Sequence, residues 1–334
     1  MKKSNLALLF LIVGVLLFNT STLLAEELQI TPKTIIIPHA MNSSHPIQKA
    51  LELFKSEVEL ASNNLISIEI FSDAVLGDDS SLLDQIRTGA LEAAVVTGGP
   101  SWFQGSDPRG AIEELPFLFA TADEARSAYE GAFGEYLKNE IMSPFGIEVV
   151  TFLESGFRHF TSNIRPIVEP ADMAGQKFRI APSILRQKTF EALKASAISM
   201  SFSELYTALQ QGTVDAQENP LTMIVTGKLY EVQKYVSLSG HIWNTAFLGF
   251  NQKTWDSLSE DEQKIISESA IKARAYLYEL DDEQWANAVE YLKEKGALVN
   301  SVNHDAFVEA VQPVWDYFIE QNGDELIKLA LGEE

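Results

Sequence analysis

Two stretches of the chain, 123 residues apart, share one local design. Leu83-Asp84-Gln85-Ile86-Arg87-Thr88-Gly89-Ala90-Leu91-Glu92-Ala93 reads like Tyr206-Thr207-Ala208-Leu209-Gln210-Gln211-Gly212-Thr213-Val214-Asp215-Ala216. In each, a helix is ended by a glycine that supplies the left-handed turn. A strand beginning with an apolar residue, an acid and an alanine then follows at once. Each unit delivers a strand end to a loop, Thr97–Gly99 in one case and Gln217–Pro220 in the other, and open α/β sheets bind ligands at such carboxyl ends. A design used twice in 334 residues predicts two related α/β domains, the usual division for a chain of this size.

Helix and strand signals alternate elsewhere too. Thr34–Pro38 is a β-branched strand run. Ser44 reads as a helix cap with Pro46 in the first turn, and Ile47, Ala50, Leu51, Phe54, Val58 and Ala61 then recur at helical spacing. Leu65–Phe71 alternates as a half-buried strand does, with Ile66, Ile68 and Ile70 on one face. Ser259 and Glu262 form a capping box for a helical pattern that continues through Ile265, Ala270, Ala273, Tyr276, Trp285, Val289 and Leu292 to Gly296. That length predicts either two helices jointed near Asp281–Asp282 or one spine crossing both domains. No linker rich in Pro, Gly or Ser separates the domains, so the chain is expected to cross between them more than once.

The first residues predict export. Lys2 and Lys3 precede an apolar run from Leu6 to Phe18, and Thr20, Ser21 and Thr22 lead to Ala25. This is the pattern of a signal peptide over residues 1–25, with cleavage near Ala25–Glu26, although Leu23 is not the ideal small residue. An uncleaved anchor is the alternative, disfavoured by the shortness of the run. A periplasmic location follows. The chain has no cysteine, which excludes disulfides, a thiolate metal site and a cysteine nucleophile. The formal charge of −22 grows more negative when the two leader lysines leave. Such a surface disfavours nucleic acid and anionic membranes, and it requires any anionic ligand to be held by local cations. The five histidines show no H-E-x-x-H spacing, and Gly98-Gly99-Pro100 lacks the nucleotide-binding patterns. With no nucleophile elbow and no convincing acid–base pair, neither a metal, a cofactor nor an enzymatic activity is expected.

One segment is specific. Phe202-Ser203-Glu204-Leu205-Tyr206-Thr207-Ala208-Leu209-Gln210-Gln211-Gly212, followed by Val214-Asp215-Ala216-Gln217-Glu218-Asn219-Pro220, resembles the substrate-binding subunits of tripartite ATP-independent periplasmic (TRAP) transporters, the DctP family. Leu115-Pro116-Phe117-Leu118-Phe119, Gly156-Phe157-Arg158 with Thr161-Ser162-Asn163, and Tyr230-Glu231-Val232-Gln233-Lys234-Tyr235 extend the resemblance over essentially the whole mature chain. Ala216 departs mildly, since the family more often has glycine there. The resemblance implies a two-lobed α/β periplasmic-binding-protein (Venus flytrap) fold with a long helix spanning both lobes. Lobe I would comprise residues 33–155 plus about 245–284, and lobe II residues 156–244 plus about 285–334. It also implies a monomeric receptor that hands a small organic acid to the small and large membrane subunits of the transporter. A receptor for another importer and a ligand-sensing periplasmic protein are the alternatives.

In the family an arginine on the strand after the G-x-K motif grips the ligand carboxylate, and it maps to Arg179. Chemistry agrees, because a guanidinium is a planar fork that matches a carboxylate bidentately and stays charged. Arg158, Asn219 and Phe202 map to further ligand contacts by the same resemblance. Asn219 offers both donor and acceptor, the other reading being an Asx-turn before Pro220. Trp243 and Phe247 are aromatic candidates for the pocket wall or for the core. His45 and Trp102, in loops after expected strands, could contribute from lobe I, and His45 would serve equally well as a helix-entry residue.

Overall fold

The computed structural model describes residues 29–333, so the expected leader over residues 1–25 lies outside the described residues. Ten strands follow in chain order among these: β1 (Lys33–Pro38), β2 (Ile66–Phe71), β3 (Ala93–Thr97), β4 (Ile147–Ser162), β5 (Lys177–Ile180), β6 (Ser196–Ser199), β7 (Ala216–Pro220), β8 (Tyr235–Leu238), β9 (Trp243–Asn251) and β10 (Leu298–Ser301). In the first lobe β1 and β2 pair in parallel, β1 lies beside β3, and β9 sits antiparallel between β3 and β4. The second lobe's sheet runs β10-β8-β4-β7-β5-β6. β7, β5 and β6 are mutually parallel within it, whereas β4 runs against both β7 and β8.

β4 therefore belongs to both sheets. Residues Ile147–Phe157 pair with β9, and Arg158–Ser162 pair with β7. The change of partner coincides with a register shift between Glu154 and Gly156, the local kink that an extra residue imposes on a strand. Gly156 has φ +97°, and a Cβ there would stand 2.4 Å from Cζ2 of Trp285. Only glycine fits both the backbone and the contact. Trp285 meets Trp243 edge-on at 5.9 Å, and Trp243 meets Phe157 edge-on at 4.9 Å, so aromatic rings back the crossover.

The two repeated units fold alike. Helix Asp79–Thr88 ends at Gly89 with φ +79°, and helix Phe202–Gln210 is followed by Gly212 with φ +69°. Their strands begin at the alanine rather than immediately after the glycine. The intervening amides are engaged elsewhere: Ala90 and Leu91 bond back to the Gln85 carbonyl, Thr213 to that of Ala208 and Asp215 to that of Lys177.

Helix Pro46–Ala61 buries Ile47, Ala50, Leu51, Phe54 and Val58, each such side chain contributing on the order of 1.5–3 kcal/mol. Its cap is His45 rather than Ser44, because His45 Nδ1 accepts from the Ile47 amide at 3.2 Å.

Helix Glu260–Glu294 is one unbroken element of 35 residues, about 52 Å long at 1.5 Å per residue. Ser259 and Glu262 make the expected capping box, and no proline or glycine interrupts the helix at Asp281–Asp282. Ile265, Ile266, Ala270, Ala273 and Leu277 pack into the first lobe's core, while Ala288 and Leu292 join the cluster around Leu205 and Val236 in the second. Among the described residues no helix is long and apolar enough to cross a membrane.

Between those halves sits Asp281, fully buried, with no protein hydrogen-bond donor reaching either oxygen among the described residues. Burial and the neighbouring Glu154 carboxylate push its pKa well above the usual carboxylate range. Arg126 binds Glu154 at 2.7 and 2.8 Å and Asp282 at 2.7 Å, which leaves Asp281 to be satisfied by keeping its own proton. Above the ordinary carboxylate pKa the unfolded chain releases that proton and the folded chain must hold it. Stability is thus lost as pH rises towards the folded value. Asp281→Asn should raise the melting temperature at pH 8 and have little effect at pH 5; equal shifts at both would contradict a protonated Asp281.

Candidate functional site

β5 is short and buried from its second residue onwards. Phe178 packs with Phe160 and Phe190, so the alternation of the strand turns Arg179 to the other side. There it lines a cavity of about 280 Å³. The second lobe supplies Arg158 from β4, Asn219 from β7, Arg186 from helix Ile184–Ala192, and Phe202 with its neighbouring serines from the start of helix Phe202–Gln210. The first supplies Asp78, Asp79 and Ser80 from the entry of helix Asp79–Thr88, Thr97 and Gly98 after β3, Trp102 and Glu114. Asn244 comes from β9.

Three guanidiniums converge here, and two are already engaged. Arg158 is bound through Nε and Nη2 to the Glu218 carboxylate, with Nη1 on Asn244 Oδ1 at 2.9 Å and Nη2 on Asn219 Oδ1 at 2.9 Å. Arg186 forks onto Glu114 at 2.6 and 2.7 Å and reaches Glu218 at 3.0 Å. Burial works to raise the pKa of Glu218, but Arg158 and Arg186 outweigh it and hold the carboxyl well below its usual range. Glu113 behaves oppositely. Burial and the adjacent Glu114 push it up to about 8, so it is neutral at pH 7 and adds no charge.

Arg179 is the guanidinium left over. It is 2% exposed, and among the described residues its side chain makes one hydrogen bond, Nε to the Met200 carbonyl at 3.0 Å. Four of its five N–H donors are without a protein partner. Burial, reinforced by Arg158 and Arg186, pushes its pKa down to about 9. An anion bound at this fork would relieve both the unmet donors and the repulsion between the cations.

The cavity thus brings together Arg179, Arg158, Asn219, Phe202 and Trp102. Three other expected contacts lie elsewhere. Trp243 belongs to the aromatic stack behind the crossover, and Phe247 is fully buried in the core of the first lobe, opposite Phe152 and Val96. His45 is buried as a helix cap. Burial together with His39 pushes its pKa down to about 3, so it is neutral. A second cavity of similar volume behind the crossover, lined by Phe119, Phe157, His159 and Trp285, has no arginine in its wall.

Residues that sequence patterns passed over include Arg186, Glu114, Glu218, Asp79 and Asn244. Glu218 lay inside the quoted Gln-Glu-Asn run, and the whole of β7 is buried although three of its five residues are polar. A polar strand with no exposed face was the available signal.

The chain as a whole has known relatives. A family model described as bacterial extracellular solute-binding protein, family 7 (DctP) matches residues 37–322. A solute-binding protein of Verminephrobacter eiseniae is 31% identical over 88% of this chain and 86% of its own length. The 2,3-diketo-L-gulonate-binding periplasmic protein of Escherichia coli is 28% identical over 98% of both. A crystal structure of a TRAP periplasmic solute-binding protein from Polaromonas sp. JS666, bound to D-erythronate, superposes with a TM-score of 0.86 at 30% identity, covering 90% of this chain and 99% of that one.

Proposed function

The chain belongs to bacterial extracellular solute-binding protein family 7, and from that premise we propose that it captures a small organic carboxylate through Arg179 for a TRAP transporter. The observation that carries this reading is the buried Arg179 fork with four unmet donors facing a cavity between the lobes. Relatives that bind 2,3-diketo-L-gulonate and D-erythronate are in keeping with an acid as ligand.

The acid docks on the second lobe, where Arg179, Asn219 and Phe202 lie. Rotation of the lobes, with limits at residues 33–155 plus about 245–284 and 156–244 plus about 285–334, then brings Trp102 and its neighbours onto it. Closure offsets the desolvation of the carboxylate only if all its oxygens are hydrogen-bonded. The kink at Gly156 and the single long helix support a hinge there. The receptor works in the periplasm as a monomer after loss of residues 1–25, and passes its ligand to the small and large membrane subunits without chemical change.

A thermal-shift screen against monocarboxylates, dicarboxylates and sugar acids tests this. A cognate acid at a hundredfold over Kd adds about 2.7 kcal/mol of stability, and a screen in which no carboxylate raises the melting temperature would refute the reading.

A further inference from the structure

The two walls of the cavity carry opposite charges. Arg158 and Arg186 on the second lobe are matched by Glu218 beside them and by Glu114 across the cleft, so the surplus cation is the single charge of Arg179. On the first lobe, Asp79 lines the same cavity. Its carboxylate is fixed in place, Oδ1 accepting from the Thr97 amide at 2.8 Å and Oδ2 from the Thr97 hydroxyl at 2.8 Å. Each oxygen keeps a lone pair for a further donor. Asp78, which caps the same helix through the Ser81 amide, also lines the cavity, so no cation stands on that side to receive a second anionic group.

Neutral hydrogen-bonding groups fill the wall between these poles. Ser80, Ser101, Ser201 and Ser203 supply hydroxyls, and Asn219 and Asn244 supply amides. The Ser101 and Ser201 hydroxyls already donate to the Gly98 carbonyl and to Glu204 but can still accept, and Asn244 keeps its amide hydrogens while its Oδ1 accepts from Arg158. Such a wall suits a chain of ligand hydroxyls better than an alkyl chain.

We infer that the ligand is a polyhydroxylated monocarboxylate, with its carboxylate on Arg179 and a distal hydroxyl donating to Asp79, and that Asp79 excludes dicarboxylates from the cleft. This inference rests on the carboxylate reading of Arg179 and adds the identity of the other end. A second carboxylate directed at the first lobe would meet Asp79 and Asp78, where like charges in a partly desolvated site repel and no lining cation of that lobe offsets them. A hydroxymethyl at the same place supplies one donor and no charge. The electrostatics are consistent: burial, opposed by the Thr97 bonds, pushes Asp79 up to about 6, with Asp78 raising it further and Arg179 drawing it down. Asp79 therefore remains mainly ionised at neutral pH and can act as a charge filter there.

Isothermal titration with acids matched in length tests the assignment: threonate against tartrate, xylonate against xylarate, and galactonate against galactarate. Within each pair only the far end differs, hydroxymethyl or carboxylate. The wild-type protein should prefer the monocarboxylate by about tenfold or more at its best-fitting length. Asp79→Asn, which keeps an oxygen for Thr97 and removes the charge, should lower that ratio to about threefold or less, by weakening the monoacid and strengthening the diacid. Lowering the pH from 7.5 to 5 should compress the wild-type ratio in the same direction, a readout that needs no variant. Preference for the diacid at every length, or a ratio unchanged in Asp79→Asn, overturns the inference. So does binding of succinate with no response to any hydroxy monoacid, an outcome that leaves Arg179 as the carboxylate anchor. Failure of the carboxylate reading looks different: no acid of either kind binds, or Arg179→Lys binds them all as well as the wild type.

Discussion

Arg179→Lys should weaken binding of the cognate acid about a hundredfold, about 2.8 kcal/mol at 1.4 kcal/mol per factor of ten, while the protein stays folded. Two effects act in the same direction. Lysine gathers its donors on one nitrogen and cannot present the two parallel N–H groups that a carboxylate accepts from a guanidinium. It also begins about two pH units below arginine in proton affinity, in surroundings whose burial and neighbouring Arg158 and Arg186 already push Arg179 to about 9. The same surroundings carry an ammonium towards neutrality, so the substitution loses charge as well as shape. Isothermal titration would measure the loss, and unchanged affinity would remove Arg179 from the ligand's contacts. Heat release accompanied by little proton uptake in the wild type, and more in the variant, would separate the lost charge from the lost fork.

Arg186→Met should cost about 3–5 kcal/mol of folding stability, the largest effect expected of any substitution in the cleft wall. Arg186 is 1% exposed, and both oxygens of Glu114 are bound to it. Methionine fills much of the space but leaves Glu114, itself 2% exposed, as a buried carboxylate with no cation. Glu218 keeps Arg158, so the damage falls mainly on Glu114. Glu114→Gln in the same background should recover much of the loss, because an amide is cheaper to bury than an unpaired charge. Urea denaturation of the single and double variants measures this. A loss below about 1 kcal/mol, in the range of an exposed ion pair, would mean that the site is open to solvent when empty.

The architecture was largely legible because its signals are local. The glycines at 89 and 212 end helices where the spacing places them, and the Ser259–Glu262 box starts the long helix. The choice between one helix and two was open in the sequence, since Asp281–Asp282 looks like a solvated joint. In the structure Asp281 is buried against Glu154, a partner on β4 that no periodicity could reveal. The cleft was legible in part for the same reason. Arg179 stood out through its motif, but Arg186 lies on an ordinary helix, and its partners Glu114 and Glu218 are 72 and 32 residues away. Aromatic residues showed the limit most plainly. Trp102 and Trp243 both follow or open strands, and only three-dimensional packing sends one to the cavity and the other behind the crossover. His45 was ambiguous between ligand and cap because the same ring nitrogen can serve either role.

The interleaving of the sheets fixes when each lobe can become complete. The strand that joins β3 to β4 in the first lobe, β9, ends at Asn251, and the helix turns that cover its core continue to Leu277. The second lobe gains its edge strand only at Leu298–Ser301. A chain emerging from its N-terminus therefore exposes β3 without its partner for some 150 residues, and neither core closes until most of the polypeptide is present. Pairings so distant in sequence form slowly. A protein built this way cannot finish one lobe well ahead of the other, and acquires its shape nearly all at once.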